Sequence, residues 1–486
     1  MFVDYTEFKT LVRNLNKKVK VPTRKALNDK MEDIKKKLES EVALMLDGEF
    51  AAITTDGWTP RNNDSYMSLT VAYIDAEWTL HHLSLGCHKH TGSTAGEDLA
   101  DSITSMIKRH NLTGRVVACV TDCDPSMIKA GRLLQVGGEM EHVWCCNHRM
   151  ESTMSSVFNG KSLGAVAKAR GLVGRYKRSR QMAARLKEKC RILQIKELQV
   201  MQDVEARWWS TWAMVERLLF LMKAIKLHES MDEIPSVLLE TDWEVLRLIE
   251  PILQPFMQAQ NNLEGAPYVT GSLTIPTIAE LRDGLEGAID DLRGVTQTGL
   301  KDTTKETMQA VLPDANALWG ELENRWGDGS QILEYRKGKR RQPQGFKLQQ
   351  VVETALDTRT KHLIGIRREE HGSVVEMESL DEKREQLVTI VDVEVAAFKT
   401  TPGLAVRDPK TNAFTNPRDW WRKKQLEFPL LAALACRVLA IPASQAQSER
   451  IFFTAGLTVT PTRSRLTDKS VELLVYLRNV WGVVDE

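Results

Sequence analysis

Three acidic residues, far apart in the chain, have the type and setting for phosphodiester chemistry. Asp56 follows a strand-like run, Phe50-Ala51-Ala52-Ile53-Thr54-Thr55, and Asp122 follows another, Val116-Val117-Ala118-Cys119-Val120. An aspartate after a strand is ordinarily a turn residue. Asp122 resists that reading, because Asp124, with Pro125 at the first helical position, already supplies the cap of the next helix. Both acids fall at the carboxyl ends of strands, where open α/β sheets place their sites. Glu449, on a helix, shares a face with Ala446, Phe452 and Phe453. An inward glutamate needs a partner or a metal, the ordinary partner here being Arg450. Together the three make an all-oxygen set suited to Mg²⁺ or Mn²⁺. Paired ions of that kind drive phosphodiester cleavage and in-line strand transfer. The three carboxylates are expected to converge.

The elements that must position them can be read in order. Residues 1–48 are basic and helical in pattern, with Met31, Ile34 and Leu38 at helical spacing. After the first strand come Tyr66 to Ile74 and Trp78 to Leu85, separated by the turn-like Asp75-Ala76-Glu77, which predicts an antiparallel meander. Leu99, Ile103, Met106 and Ile107 share a helical face, the strand before Asp122 follows, and a fifth strand is expected at His142 to Cys146. The order β-β-β-α-β-α-β is that of an α/β core whose last strands are parallel. From about Ser155 to Lys423 the pattern is long, charged and helical, with an exposed loop expected at Glu334 to Gln350. Dense apolar helices return at Phe428 to Leu439, Ser444 to Ala455 and Lys469 to Val480. The domains expected are an N-terminal helical segment (1–48), the first part of an α/β core (49–158), an all-α insertion (159–423) and the completion of the core (424–486).

Composition bounds the possibilities. A chain of 486 residues, 42% hydrophobic and 27% charged, has ample material for a core and is neither disordered nor collagenous. Its net charge of +1 confines nucleic-acid binding to local patches. Seven irregularly spaced cysteines do not make a disulfide framework, so a reducing interior is expected. The first residues lack the pattern of a secretory signal. The most apolar window, Phe428 to Ala443, is too short to span a bilayer and includes Arg437 and two prolines, so no membrane association is expected.

Other residues could contact DNA. Arg175-Tyr176-Lys177-Arg178-Ser179-Arg180 is basic with an aromatic inside it, as phosphate contacts require. Arg336 to Arg341 suits DNA or nuclear import. Trp208, Trp209 and Trp212 are candidates for base stacking, although such a stripe is more often core. His142, Cys145, Cys146 and His148 have zinc-ligand types, but adjacent sulfurs on an expected strand argue against a zinc site.

An ordered series of motifs resembles the hAT transposase superfamily over nearly the whole chain. Ile53-Thr54-Thr55-Asp56-Gly57-Trp58-Thr59, then Tyr66 and Trp78, is similar to its opening, with Leu15-Asn16 and Val21-Pro22-Thr23-Arg24 upstream. Val120-Thr121-Asp122 with Met127, Cys145-Cys146-Asn147-His148, Ala206-Arg207-Trp208-Trp209-Ser210-Thr211, and Trp243 with Leu253-Gln254-Pro255-Phe256 follow in the family's order. Trp420-Trp421, Phe428-Pro429, Ile441-Pro442-Ala443-Ser444, Ser448-Glu449-Arg450-Ile451-Phe452 and Arg463-Ser464-Arg465-Leu466 resemble its C-terminal dimerisation region. Cys123-Asp124 stands where the family has an Asn beside the second acid, and Arg149-Met150-Glu151 replaces an apolar triplet.

The resemblance implies an RNase H-like mixed sheet, interrupted by an all-α insertion and completed by C-terminal helices. It carries a DDE triad of Asp56, Asp122 and Glu449 binding Mg²⁺ (or Mn²⁺). His148 would lie near that site, and Arg207, Trp208, Arg178 and Arg180 would contact DNA. DNA strand cleavage and transfer in the nucleus, by a homodimer or higher oligomer joined through the C-terminal region, follows as the first reading. A domesticated, dimerising DNA- or chromatin-binding relative without catalysis is the second. The BED-type zinc finger usual in full-length relatives has no counterpart in the Cys and His spacing of this chain.

Overall fold

The computed structural model describes residues 2–59, 65–136, 140–155, 161–204, 208–232, 234–294, 302–327, 348–359, 381–411, 413–458 and 466–480. Two compact units divide the chain: residues 1–144 with 418–486, and residues 145–417.

The first unit opens with helices α1 (Thr6–Leu15) and α2 (Arg24–Met45). Strands β1 (Ala51–Trp58), β2 (Ser65–Ile74) and β3 (Leu80–His90) then form the antiparallel meander. Helix α3 (Gly96–Arg109), strand β4 (Val116–Thr121), helix α4 (Pro125–Val136) and strand β5 (Glu141–Trp144) follow, with β4 parallel to β1 and β5 parallel to β4. The sheet order is β3-β2-β1-β4-β5, a mixed RNase H-like sheet.

The alternation of strand side chains decides what each face meets. Ile53, Leu69, Val71, Leu83 and Cys119 pack with Leu38 and Val42 of α2, Ile103 and Ile107 of α3 and Met127 of α4. Residues 51–55 of β1 are all buried, as expected of a central strand covered on both faces.

The second unit is helical: α5 (Cys146–Ser155), α6 (Lys161–Arg178), α7 (Arg180–Ile192), α8 (Trp208–Met231), α9 (Glu240–Leu263), α10 (Thr274–Leu292), α11 (Asp302–Trp326), α12 (Leu348–Leu356) and α13 (Asp381–Thr400). Trp243 and Trp326 are wholly buried in it. So is the Arg359–Asp357 ion pair, whose carboxylate also accepts a 2.6 Å bond from Ser272 Oγ. That satisfaction is what makes a buried charge tolerable.

After α14 (Pro417–Lys424), the chain adds α15 (Pro429–Val438), α16 (Ala446–Thr458) and α17 (Asp468–Val480) to the first unit. Ile451 and Ala455 of α16 and Val471 and Val475 of α17 pack with Tyr66 and Cys87, against Trp58. Helix α17 also reaches the opposite core through Tyr476 and Val480, so it wraps the β3 edge. Gly86 allows the close approach: its φ is +104°, and a Cβ there would lie 3.2 Å from Tyr476.

Three sequence expectations need correction. The first strand runs on to Trp58, so Asp56 lies within it, because the hairpin pairing Asp56↔Ser68 to Trp58↔Tyr66 outlasts the pairing with β4. The fifth strand ends at Trp144, and Cys146 opens α5 instead of ending a strand. The loop expected at Glu334 to Gln350 stops short, since Leu348 to Gln350 open α12 with Gln350 buried, while residues 334–347 lie outside the described residues.

Candidate active site

Asp56 and Asp122 are brought level by the register of two parallel strands. The last β1–β4 pair is Thr54↔Val120, and each aspartate stands two residues farther along, Asp56 within β1 and Asp122 just past the end of β4. Neighbouring strands run ~4.8 Å apart, so the two acids sit side by side at one end of the sheet. Each is half-buried. Asp56 Oδ1 accepts the Gly57 amide at 2.8 Å, and Asp122 Oδ1 accepts the Asp124 amide at 3.1 Å. Asp124 in turn accepts the Ser126 amide at 2.8 Å, as the first turn of α4 requires. Thr121, the last residue of β4, lies with its Oγ1 2.8 Å from His142 Nε2.

The face is set by α16. Thr54 Oγ1 lies 2.7 Å from Ser448 Oγ, and the Trp58 ring stacks on Phe452 with centroids 6.0 Å apart. Thr54, Asp56 and Trp58 alternate onto one face of β1, so Asp56 faces the helix between two anchored neighbours. Glu449 lies between the matching anchors of α16, one residue after Ser448 and three before Phe452. It is half-buried, and the buried stripe of α16 is Ser448, Ile451, Ala455 and Thr458. The face read from the sequence is thus off by one residue: Phe453 is 71% exposed. Glu449 borders the core without pointing into its centre.

As donors, two level carboxylates suit a hard divalent cation, which is commonly held by one or two carboxylates with waters and substrate phosphates completing the shell. Among the described residues, no group of three His, Cys, Asp or Glu side chains is arranged to hold a metal ion. The structure therefore lines up the aspartate pair and sets the glutamate's helix beside it, without gathering all three on one point.

The other sequence-derived residues belong to the second unit. His148 is half-buried on α5, its Nδ1 buried without a hydrogen-bond partner among the described residues. Arg207 lies outside the described residues. Trp208 is buried, its indole N–H donating to Ser155 Oγ at 3.1 Å, so its ring is core and not a stacking surface; Trp209 beside it is 38% exposed. Arg178 ends α6 and Arg180 begins α7, both exposed, with Ser179 capping α7 between them. Tyr176, the aromatic inside that basic run, is buried with its hydroxyl 2.9 Å from His228 Nδ1, so it is unavailable to bases.

Sequence reasoning missed the hydroxyl and aromatic anchors, Thr54 with Ser448 and Trp58 with Phe452. The strand alternation around Asp56 was their one local signal.

Three family models match in chain order: the ZBED1 RNase-like domain over residues 54–138, the ZBED1 RNase-like helical domain over 143–252, and the hAT family C-terminal dimerisation region over 403–480. Among curated proteins, "Zinc finger BED domain-containing protein 4" of Homo sapiens is 22% identical over 98% of this chain and 42% of its own length. "Putative transcriptional regulator tpeD" of Talaromyces stipitatus is 21% identical over 93% of this chain and 56% of its own. "Putative AC transposase" of Zea mays is 23% identical over 97% of this chain and 62% of its own. The chain thus spans about half the length of these relatives. Among the described residues, no helix is long and apolar enough to cross a membrane.

Proposed function

This chain carries the ZBED1-type RNase-like domains and the hAT family C-terminal dimerisation region, and on that premise we propose that it is a hAT-type DNA transposase acting on phosphodiester bonds in the nucleus. Asp56, Asp122 and Glu449 are the reacting site. The observation that carries this reading is the levelling of Asp56 and Asp122 beyond the Thr54↔Val120 pair, on the face that α16 covers.

Asp56 and Asp122 would hold Mg²⁺ or Mn²⁺, with Glu449 as the third acid. Such ions, when bound, polarise the scissile phosphate and lower the pKa of an attacking water. The protein's own part is positioning. Buried Thr54 and Ser448 fix the helix against the strand, and the Trp58–Phe452 stack joins the strand of Asp56 to the helix of Glu449. Rigid supports of this kind hold catalytic groups within the narrow tolerance that reaction demands.

A second reading is a homodimeric DNA- or chromatin-binding protein without catalysis. It is favoured by the relatives' names, since a BED-finger protein and a putative transcriptional regulator align over 98% and 93% of this chain, beside 97% for the maize protein. One experiment separates the two. The full chain is incubated with supercoiled plasmid and Mn²⁺ beside its Asp122→Asn variant, while duplex binding is followed by anisotropy. Nicking by the wild type alone, with equal binding by both, supports the transposase reading. Binding without nicking by either supports the second.

A further inference from the structure

We infer that a groove in the N-terminal segment, apart from the acidic site, seats the phosphate backbone of duplex DNA. The inference rests on the reading of this chain as a DNA-acting protein. It adds a binding surface within the first 24 residues.

The groove has a volume of about 740 Å³ and is lined by Lys9 and Arg13 of α1, Lys17 and Lys20 of the connecting segment and Arg24 at the start of α2, with Asp4 the one acid on its wall. All five cations are exposed. In a chain of net charge +1, five cations against one acid on a single concavity is a strong local field.

The walls are built, because both helices end in local hydrogen bonds. Asn16 N–H donates to Val12 O at 2.9 Å, and Asn16 Oδ1 accepts the Lys18 amide at 2.9 Å. Thr23 Oγ1 caps α2 by accepting the Ala26 amide at 3.1 Å. Four residues of helix rise about 6 Å, so Lys9 and Arg13 present two charges one turn apart on the same face of α1.

Helix α1 also carries an apolar stripe, with Leu11 55% and Leu15 78% exposed, which raises the competing possibility of an anionic membrane. Shape favours DNA. A membrane-bound helix presents one polar face to a plane of headgroups. Here the cations come from two helices and the segment between them and line a concavity, which fits a rod-like polyanion.

The test uses the full chain, a 30-base-pair duplex and fluorescence anisotropy from about 50 to 300 mM NaCl. A variant with Lys9, Arg13, Lys17 and Lys20 all changed to Ala should bind at least ~10-fold more weakly near 100 mM salt. Its log Kd against log salt slope should fall by about 3–4, near 0.9 per lost phosphate contact. Its melting temperature should match the wild type, since α1 has no buried residue. A variant with Lys9, Lys17 and Lys20 changed to Arg should keep the wild-type slope. An unchanged slope in the Ala variant, no duplex binding by the wild type, or loss of sedimentation with phosphatidylserine vesicles while the duplex slope stays unchanged would each overturn the inference. Weakened binding in the Ala variant together with a wild type that never nicks sustains the groove and removes only the catalytic reading. Nicking by a wild type whose binding the Ala variant reproduces does the reverse.

Discussion

Thr54 Oγ1 stands 2.7 Å from Ser448 Oγ and 2.5 Å from Thr70 Oγ1, so three buried hydroxyls tie α16 to β1 and β2 two residues before Asp56. No stretch of local sequence brings Glu449 to that strand; this contact does, with the packing of Ile451 and Ala455 around it.

The hydroxyl chain should be measurable as a coupling. Ser448→Ala is expected to cost about 1 kcal/mol in urea denaturation, the net worth of one buried hydrogen bond. A double-mutant cycle with Thr54→Val should return an interaction of ~0.5–1.5 kcal/mol. A coupling near zero would show that α16 is held by apolar packing alone.

The acid pair should register divalent ions in the melting curve. At ~10-fold excess over its Kd, a ligand bound only by the folded state stabilises it by about 1.4 kcal/mol. Mg²⁺ or Mn²⁺ should therefore raise the wild-type melting temperature, and Asp122→Asn should remove the shift. Equal stabilisation of both proteins would place the cation elsewhere.

Assembly should depend on α15 and the residues before it. Leu426 is 94%, Leu430 38% and Leu434 43% exposed, at four-residue spacing, within the matched dimerisation region. Large uncovered apolar surface of this kind marks an interface. Leu430→Asp with Leu434→Asp should convert a dimer to a monomer by light scattering without lowering the melting temperature. A wild type that is monomeric at high concentration refutes the assignment.

Acid should weaken the first unit before it reaches ordinary carboxylate titration. Burial, then the Arg109 charge, His110 and Lys35, pushes His88 down to about 3, and burial with Arg109 and Lys35 pushes His110 down to about 4. Their rings lie 5.7 Å apart. Both folded values lie below the unfolded ~6.5, so the unfolded chain takes up protons first. The stability is fully present above that pH and is lost as pH falls through the window toward 4 and then 3. Between pH 7 and 4.5 each ring should cost roughly 2–2.5 kcal/mol, about 5 kcal/mol together by urea titration, and His88→Gln should flatten that slope by about half. An unaltered pH profile in the variant would assign the loss to other groups.

Much of this protein could be read directly from the residues. The apolar runs and turns predicted the meander, Asp124-Pro125 marked the start of α4, and helical spacing separated the second unit from the sheet. These are local signals, because strand alternation, capping and helical period act over a few residues. Asp122 was recognisable as a strand-end acid for the same reason. The tertiary structure decided the rest. It extended β1 past Asp56 because a hairpin partner, not an apolar run, terminates that strand. It buried Trp208, which the tryptophan cluster made a candidate for base stacking, and Tyr176, the aromatic inside the basic run. It moved the buried face of α16 from Glu449 to Ser448, since the sheet beneath offered Thr54 as a hydrogen-bond partner. Such choices depend on which surfaces meet across hundreds of residues, and nothing in a local pattern carries that distance.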